Sequence, residues 1–146
     1  MNVTLLAVDK MREPYLRDGC DRMIAKLKPH MPVSVVEIKP QTIDEEARAM
    51  IARIADGSIV WALDREGEAL SSTQLARRIA TVQQSGRRRL TLLIGGAEGL
   101  GTAVLERADL RWSLSRLTFL HEMARLIALE QLYRAIKINR GEPYHR

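Results

Sequence analysis

The sequence predicts one α/β domain whose sheet is mainly parallel. Short apolar runs of strand length, bounded by turn residues, alternate with longer segments whose apolar residues recur at helical spacing. The connections are short, and no linker, internal repeat or low-complexity segment interrupts them. Strands separated by helices form βαβ units, so we expect a single-domain α/β sandwich.

The first part of the chain contains three predicted strands, each followed by a predicted helix. The strands are residues 3–8, 33–38 and 58–63. The helices are residues 13–27, 43–54 and 71–84. Pro14 is tolerated in the first turn of the first helix. The other two helices open on capping boxes, which are Thr42 with Glu45 and Ser71 with Gln74. We expect the polar residues 64–70 to form a loop.

The second part of the chain begins with the predicted central strand, residues 90–94. A glycine-rich loop follows, in which the backbone can take conformations closed to other residues and approach a ligand closely. Its glycines are Gly95, Gly96, Gly99 and Gly101. We expect a short helix at residues 102–107. Residues 110–119 mix polar and apolar side chains without a clean period, so no element is predicted there.

The last predicted helix, residues 121–138, is apolar around most of its circumference. Such a helix needs cover on two sides. Its own sheet can supply one side, and a second subunit in a twofold dimer can supply the other. The alternative is a helix buried wholly within one chain. We therefore expect a homodimer built on this helix.

Composition narrows the class of protein. The 146 residues suit one domain, and 46% hydrophobic with 28% charged residues is an ordinary globular balance. A net charge of +5 favours an acidic partner, with RNA the leading candidate. Cys20 is the only cysteine, which excludes an internal disulfide and a cysteine metal cluster. The first apolar run is too short for a signal peptide or membrane span, so we expect a soluble cytoplasmic protein with no membrane partner.

Several common reaction classes lack their sequence signatures. There is no GxxxxGK[ST] loop, and no GxGxxG follows the first strand, where Asp9 and Lys10 stand instead. No serine lies in a GxSxG motif. The histidines do not have the spacing of metal ligands; they are His30, His121 and His145. Hydrolysis by a catalytic triad and metal-assisted chemistry are therefore disfavoured.

The predicted strand ends offer a different kind of site. Leu63 ends the third strand, Gly95 follows the central strand, and residues 114–119 come later in the chain. If these strands are neighbours, the three segments converge on one crevice at the carboxyl edge of the sheet. The crevice would be rich in backbone groups and aliphatic side chains, which suits an adenosine-like moiety better than a polyphosphate. The alternative is a tight strand-to-helix connection that binds nothing.

Motifs along the whole chain resemble a known enzyme family. They are LDREG at residues 63–67, IGGAEG at 94–99, WSLSRLT at 112–118, His121, LYRA at 132–135 and PYHR at 143–146. Their order and spacing are similar to those of the large-subunit ribosomal RNA pseudouridine N3-methyltransferases of the SPOUT class. The resemblance implies a homodimeric enzyme dependent on S-adenosyl-L-methionine (SAM), acting on 23S rRNA of the assembled ribosome. It also implies a C-terminal trefoil knot, which is rare among folds.

The resemblance also implies which residues form the sites. The SAM site would comprise Leu63, Gly95, Gly96, Glu98, Gly99, Leu114, Ser115, Arg116, Leu117, Thr118 and Phe119. The base that takes the N3 proton would be, in falling order, His145, Tyr144 or His121, with Glu98 a weaker candidate. Leu120 and Glu122 depart from the family pattern, which usually has proline on each side of this histidine.

RNA recognition is expected to depend on shape, phosphate contacts and a target base turned out of its stack. The predicted contacts are Arg116, Arg125, Arg140 and Arg146. Arg87 and Arg88 are further candidates, although these two residues could instead form a solvated helix end that contacts no RNA. The polar tail would order over the RNA and over the partner subunit's SAM site; its alternative is a frayed terminus.

Three other functions are compatible with the same residues. One is a SPOUT methyltransferase that acts on another RNA base. The others are a non-catalytic RNA-binding α/β module and a flavodoxin-like nucleotide-binding protein. SAM binding would separate the methyltransferases from the other two.

Overall fold

Helices and strands alternate strictly in the computed structural model, which describes residues 1–144. The strands are β1 (Asn2–Val8), β2 (Val33–Ile38), β3 (Ile59–Ala69), β4 (Arg89–Ile94) and β5 (Leu110–Ser113). The helices are α1 (Pro14–Leu27), α2 (Ile43–Arg53), α3 (Ser72–Gln84), α4 (Thr102–Arg107) and α5 (His121–Asn139). Both predicted capping boxes are formed, at the starts of α2 and α3. Among residues 1–144, no helix has both the length and the apolar character needed to cross a bilayer.

The strands form one five-stranded sheet in the order β2-β1-β4-β3-β5, and every pair is parallel. β4 lies between β1 and β3 and is buried from Leu90 to Ile94, as its continuous apolar sequence predicts. The predicted α/β class and the mainly parallel sheet are therefore confirmed. The C-terminal trefoil knot stays a prediction.

Helices cover both faces of the sheet. Because successive strand residues point to opposite faces, Leu92 belongs to one apolar cluster and Leu93 to the other. The Leu92 side carries α1, α3 and α5, whereas the Leu93 side carries α2 and α4. Burial on both faces explains why the central strands show no alternation of polar and apolar residues.

α5 packs against both α1 and α3 over the Leu92 face. Gly19 of α1 lets the two helices approach closely, since a Cβ atom there would lie 3.1 Å from Leu126 Cδ2. From His121 to Ile138 every residue of α5 is buried or half-buried within the single chain. The apolar pattern of this helix predicted that a second subunit would be needed to cover it, but a single chain already covers much of its surface. The homodimer stays a prediction.

Two sequence expectations about β3 and β5 are wrong. Residues 64–70, expected to be a loop, mostly continue β3, which ends at Ala69. Leu63 and Glu68 both pair with Trp112, so the residues between them bulge out of the strand. Gly67 permits this bulge, because a Cβ atom there would lie 2.4 Å from the Arg111 carbonyl oxygen. β5 went unpredicted because a strand of only four residues is too short to show a period.

Candidate active site

A cavity of about 720 Å³ lies at the carboxyl ends of β4 and β5, beside the bulge of β3. Its walls come from residues 63–66 at the bulge of β3, from the glycine-rich loop after β4 and from the segment that joins β5 to α5. These strands are neighbours in the sheet, so the three segments converge as the crevice hypothesis expects. The first turn of α5 closes one side of the cavity through His121 and Ala124.

Most of the residues assigned to the SAM site line this cavity. They are Leu63, Gly95, Gly96, Glu98, Gly99, Leu114, Ser115, Leu117, Thr118 and Phe119. Arg116 is the exception, because it is exposed and lies outside the lining. The cavity also includes Asp64, Arg65 and Glu66, which fall in the segment expected to be a loop and were assigned to no site. The LDREG motif is the sequence signal that includes them.

The glycine-rich loop folds back on itself. Gly99 has φ of +81°, and its N–H donates to the Gly96 carbonyl at 3.1 Å. A Cβ atom on Gly95 would lie 2.5 Å from the Gly99 carbonyl carbon, so a side chain at Gly95 would force the loop apart. The glycines therefore bring backbone, rather than side chains, to the wall of the cavity.

Hydrogen bonds join the segment after β5 to the bulge of β3. The Ser113 hydroxyl lies 3.0 Å from the Arg65 carbonyl and 3.1 Å from the Ser115 carbonyl. The Leu117 N–H donates to the Ser115 hydroxyl at 3.0 Å. The Arg65 guanidinium donates to the hydroxyl of Thr118. Two walls of the cavity are thus held together by side chains that sequence spacing alone could not pair.

His121 lines the cavity and carries an unsatisfied polar atom. Its Nε2 is buried and has no hydrogen-bond partner among residues 1–144. Buried polar atoms are nearly always hydrogen-bonded, so an orphaned one next to a cavity marks a place where a ligand group is expected. With aliphatic side chains and backbone around it, the cavity fits an adenosine-like ligand that carries hydrogen-bonding groups.

Tyr144 lies far from this cavity within the chain. Its hydroxyl donates to the Glu130 carboxylate at 3.1 Å, and its ring packs against Tyr133 and under the Arg134 guanidinium. Burial, then the charge of Glu130, raises the pKa of the phenol. Glu130 and Tyr133, which Tyr144 contacts, lie about 14–18 Å from His121 along the axis of α5, so one chain does not bring these two candidate bases together. The predictions for His145 and Arg146 lie outside the described residues.

The predicted RNA contacts lie in very different surroundings. Arg125 is only 1% exposed and donates to the Glu37 carboxylate at 2.7 Å and to the Val8 carbonyl at 3.2 Å. Its burial argues against the predicted RNA contact. Arg140 is exposed and pairs with Glu142, whose pKa is held at about 2 by hydrogen bonds from Arg140 and Lys137. Arg87, Arg88 and Arg116 are all exposed.

The residues of the described chain, 1–144, include no cluster of three His, Cys, Asp or Glu side chains suited to a metal ion.

Comparisons with known proteins agree over the length of the chain. The family model described as "Predicted SPOUT methyltransferase" matches residues 1–145. The "Ribosomal RNA large subunit methyltransferase H" of Moorella thermoacetica is 43% identical, with 100% of this chain and 99% of that protein covered. The protein of the same name from Carboxydothermus hydrogenoformans is 40% identical, with 100% of both covered. Among solved structures, a probable methylase family protein from Haemophilus influenzae Rd KW20 has a similar fold, with a TM-score of 0.60 and 9% identity over 99% of this chain and 70% of that one.

Proposed function

Because the chain belongs to the SPOUT methyltransferase family, we propose that it transfers the methyl group of SAM to large-subunit ribosomal RNA. The observation that carries this proposal is the cavity at the bulge of β3 and the ends of β4 and β5, which is built from the segments that carry the family motifs. The relatives named as large-subunit rRNA methyltransferases match along their whole length, which supports the same class of substrate.

SAM suits the chemistry of the cavity walls. The glycine-rich loop offers backbone groups for the adenosine, and Leu63, Leu114 and Leu117 offer aliphatic surface. His121 Nε2 offers a hydrogen-bonding group that has no partner among residues 1–144. SAM supplies an activated methyl group on a sulfonium. The chain therefore mainly has to bind the cofactor, exclude water and align the target atom with the methyl carbon and sulfur.

The target atom we propose is N3 of a pseudouridine. This nitrogen must lose its proton as it attacks, so a nearby base would assist. Among the described residues 1–144, the predicted bases that line the cavity of their own chain are His121 and the weaker candidate Glu98. Tyr144 has a raised pKa where it lies and stays a phenol at neutral pH, so stacking and hydrogen-bond donation suit it better than proton abstraction. His145 remains a candidate base.

A homodimer would bring the tail and the cavity together. Within one chain Tyr144 packs against Glu130 and Tyr133, about 14–18 Å from His121 along α5, whereas a second chain could place its tail over the cavity. Apolar side chains stand exposed at the same end of the molecule as the cavity, where α1 and α5 begin. They are Tyr15 at 63%, Leu117 at 71% and Leu120 at 51%. An exposed apolar group of this kind is typical of an interaction surface.

RNA contacts would come from arginines around the cavity and along the chain. Arg116 lies next to the cavity wall and is accessible to phosphate. The remaining candidates are Arg140, Arg146, Arg87 and Arg88. The net charge of +5 supports an anionic partner of this kind.

Methylation with tritiated SAM tests the proposal. The protein is incubated with assembled ribosomes, free large-subunit rRNA and tRNA, and the labelled nucleoside is identified after digestion. We expect label at N3 of a pseudouridine in large-subunit rRNA from ribosomes. Label on another base would assign the chain to a different RNA methylation. If the protein binds RNA but calorimetry detects no SAM binding, the result would favour a non-catalytic RNA-binding module.

A further inference from the structure

Two oppositely charged side chains of α5 hold the connection between β1 and α1 from both ends. Glu122 is 4% exposed, and its Oε1 accepts the backbone N–H of Glu13 at 3.0 Å and that of Arg12. Arg125 is 1% exposed and donates to the carbonyl oxygens of Val8 and Asp9. The two residues are one helical turn apart, so they face the same segment. Every one of these contacts is made to backbone atoms of residues 8–13.

The Glu122 carboxylate also compensates for two helix starts that lack side-chain caps. Glu13 is the N-cap of α1 and makes no side-chain capping bond, and Pro14 has no N–H to offer. Leu120 is the N-cap of α5 and makes no side-chain capping bond either. A carboxylate placed between two helix N-termini satisfies orphaned N–H groups of one and is favoured by the dipoles of both.

The same turn of α5 forms a wall of the cavity. His121 precedes Glu122 directly, and both His121 and Ala124 line the cavity, whereas Glu122 does not. Val8, held by Arg125, packs against the glycine-rich loop, since a Cβ atom on Gly96 would lie 3.2 Å from Val8 Cγ1. The start of α5, residues 8–13 and the glycine-rich loop are therefore in continuous contact.

We propose that Glu122 is a positioning residue of the cofactor site: its bonds to Arg12 and Glu13 fix the first turn of α5 and thereby hold His121 against the bound SAM. The inference rests on the proposed function, because it takes SAM to be the occupant of the cavity. Glu122 acts through His121 and the cavity wall, without touching the cofactor itself.

Three variants test this role. Glu122→Ala removes the acceptor, whereas Glu122→Gln keeps an oxygen in the same place without its charge. Asp109→Asn is the matched control, because the Asp109 carboxylate also accepts a distant backbone N–H, that of Val60 at 2.8 Å, but precedes β5, whereas the cavity lies at the carboxyl end of that strand. Each variant is studied below its unfolding temperature, by calorimetric SAM titration, by kcat and KM for SAM, and by the NMR amide shifts of residues 12 and 13.

We expect Glu122→Ala to weaken SAM binding about tenfold, with KM for SAM rising and the amide signals of Arg12 and Glu13 moving upfield. Glu122→Gln should recover most of the affinity, with a residual loss of about threefold, because hydrogen bonds to a neutral acceptor are weaker. Asp109→Asn should lose thermal stability and bind SAM as the wild type does.

The outcomes separate the two proposals. A wild-type protein that binds no SAM would overturn the proposed function, whatever the amide signals show. A wild type that binds SAM, beside a folded Glu122→Ala of equal affinity, would overturn the positioning role alone. If Glu122→Ala does not fold, Glu122→Gln decides: shifted amide signals with unchanged SAM affinity would overturn the role. If Asp109→Asn weakens SAM binding as much as Glu122→Ala does, the effect of Glu122 is one of general stability, and the positioning role is overturned.

Discussion

The fold of the glycine-rich loop requires a glycine at position 95, whether or not a ligand is bound. A Cβ atom on Gly95 would lie 2.5 Å from a backbone atom of Gly99, which cannot rotate away as a side chain could. Gly95→Val should therefore lower the unfolding free energy by about 2–3 kcal/mol and abolish SAM binding. Gly96→Ala should cost less, about 1 kcal/mol, because its Cβ would meet only the Val8 side chain, at 3.2 Å. Thermal unfolding and calorimetry measure both effects, and a folded Gly95→Val that binds SAM normally would contradict the prediction.

Acid should weaken the fold through Glu122. Burial alone would raise the pKa of this carboxyl, but hydrogen bonds from the N–H groups of Glu13 and Arg12 outweigh burial and lower it. The charges of His121 and Arg125 act in the same direction. A carboxyl whose pKa is lower in the folded than in the unfolded protein stabilises the fold fully at pH values above its unfolded pKa, which is about 4.3 for Glu. That contribution is lost as the pH falls through the folded value.

Melting temperatures of the wild type and Glu122→Gln, measured from about pH 7 to about pH 3, test this. The wild type should be more stable near neutrality, and the difference should shrink below the unfolded pKa, because Gln cannot be protonated in this range. Other carboxylates titrate in both proteins and cancel in the difference. Curves that remain parallel to the acid end would show that another group carries the acid sensitivity.

At the scale of elements, the sequence was informative where an element has a local cause. Continuous apolar runs identified β1, β2 and β4, and capping boxes identified the starts of α2 and α3 within a residue or two. β5 and the extension of β3 depend on each other, since Glu68 and Ala69 pair with Trp112 and Ser113. No local pattern reveals such a pairing. The contacts that bury Arg125 are equally hidden from the sequence, because Glu37, Val8 and Asp9 are distant from it along the chain.

The bulge of β3 gives a prediction at this scale. A Cβ atom on Gly67 would lie 2.4 Å from the Arg111 carbonyl oxygen, so Gly67→Ala must push β3 away from β5. We expect a loss of about 2–3 kcal/mol in unfolding free energy and weaker SAM binding, because residues 64–66 of the same bulge line the cavity. Glu66→Ala is a comparison for stability: its side chain is 76% exposed, and its loss should change stability by less than about 0.5 kcal/mol. Equal unfolding free energies in the two variants would contradict this account.

At the scale of the whole molecule, the tail should serve catalysis rather than folding. Deleting residues 144–146 removes the Tyr144 contacts with Glu130 and Tyr133, on the surface of α5, and should cost about 1 kcal/mol. SAM affinity and dimerisation should persist, whereas single-turnover methylation of ribosomes should be abolished. Near-normal turnover by the truncated protein would show that the tail is a frayed terminus without a catalytic role. Failure of the truncated protein to fold would show that the tail is structural.

Mixed dimers would show whether the tail acts on its own chain or on the partner. One subunit lacks residues 144–146, and the other carries Leu63→Trp, which places a bulky ring on the cavity wall and is designed to block SAM binding. If the tail serves the partner's cavity, a dimer of one truncated and one Leu63→Trp subunit contains one complete site. Each such mixed dimer should therefore have about half of the activity of a wild-type dimer. Neither parent protein should be active. Light scattering should give about twice 16.5 kDa for each protein, and a monomer at micromolar concentration would refute the dimer.

The order of strands in the sheet has a consequence for how the chain is made. β1 leaves the ribosome first, yet it lies between β2 and β4, and its Asn2 pairs with Arg89. The last helix then covers this sheet and fixes the connection after β1 through Glu122. Pairings so distant in sequence slow folding and leave apolar strands uncovered meanwhile. The nascent chain therefore completes its core only when translation has passed its final helix, and until then β1 is accessible to chaperones.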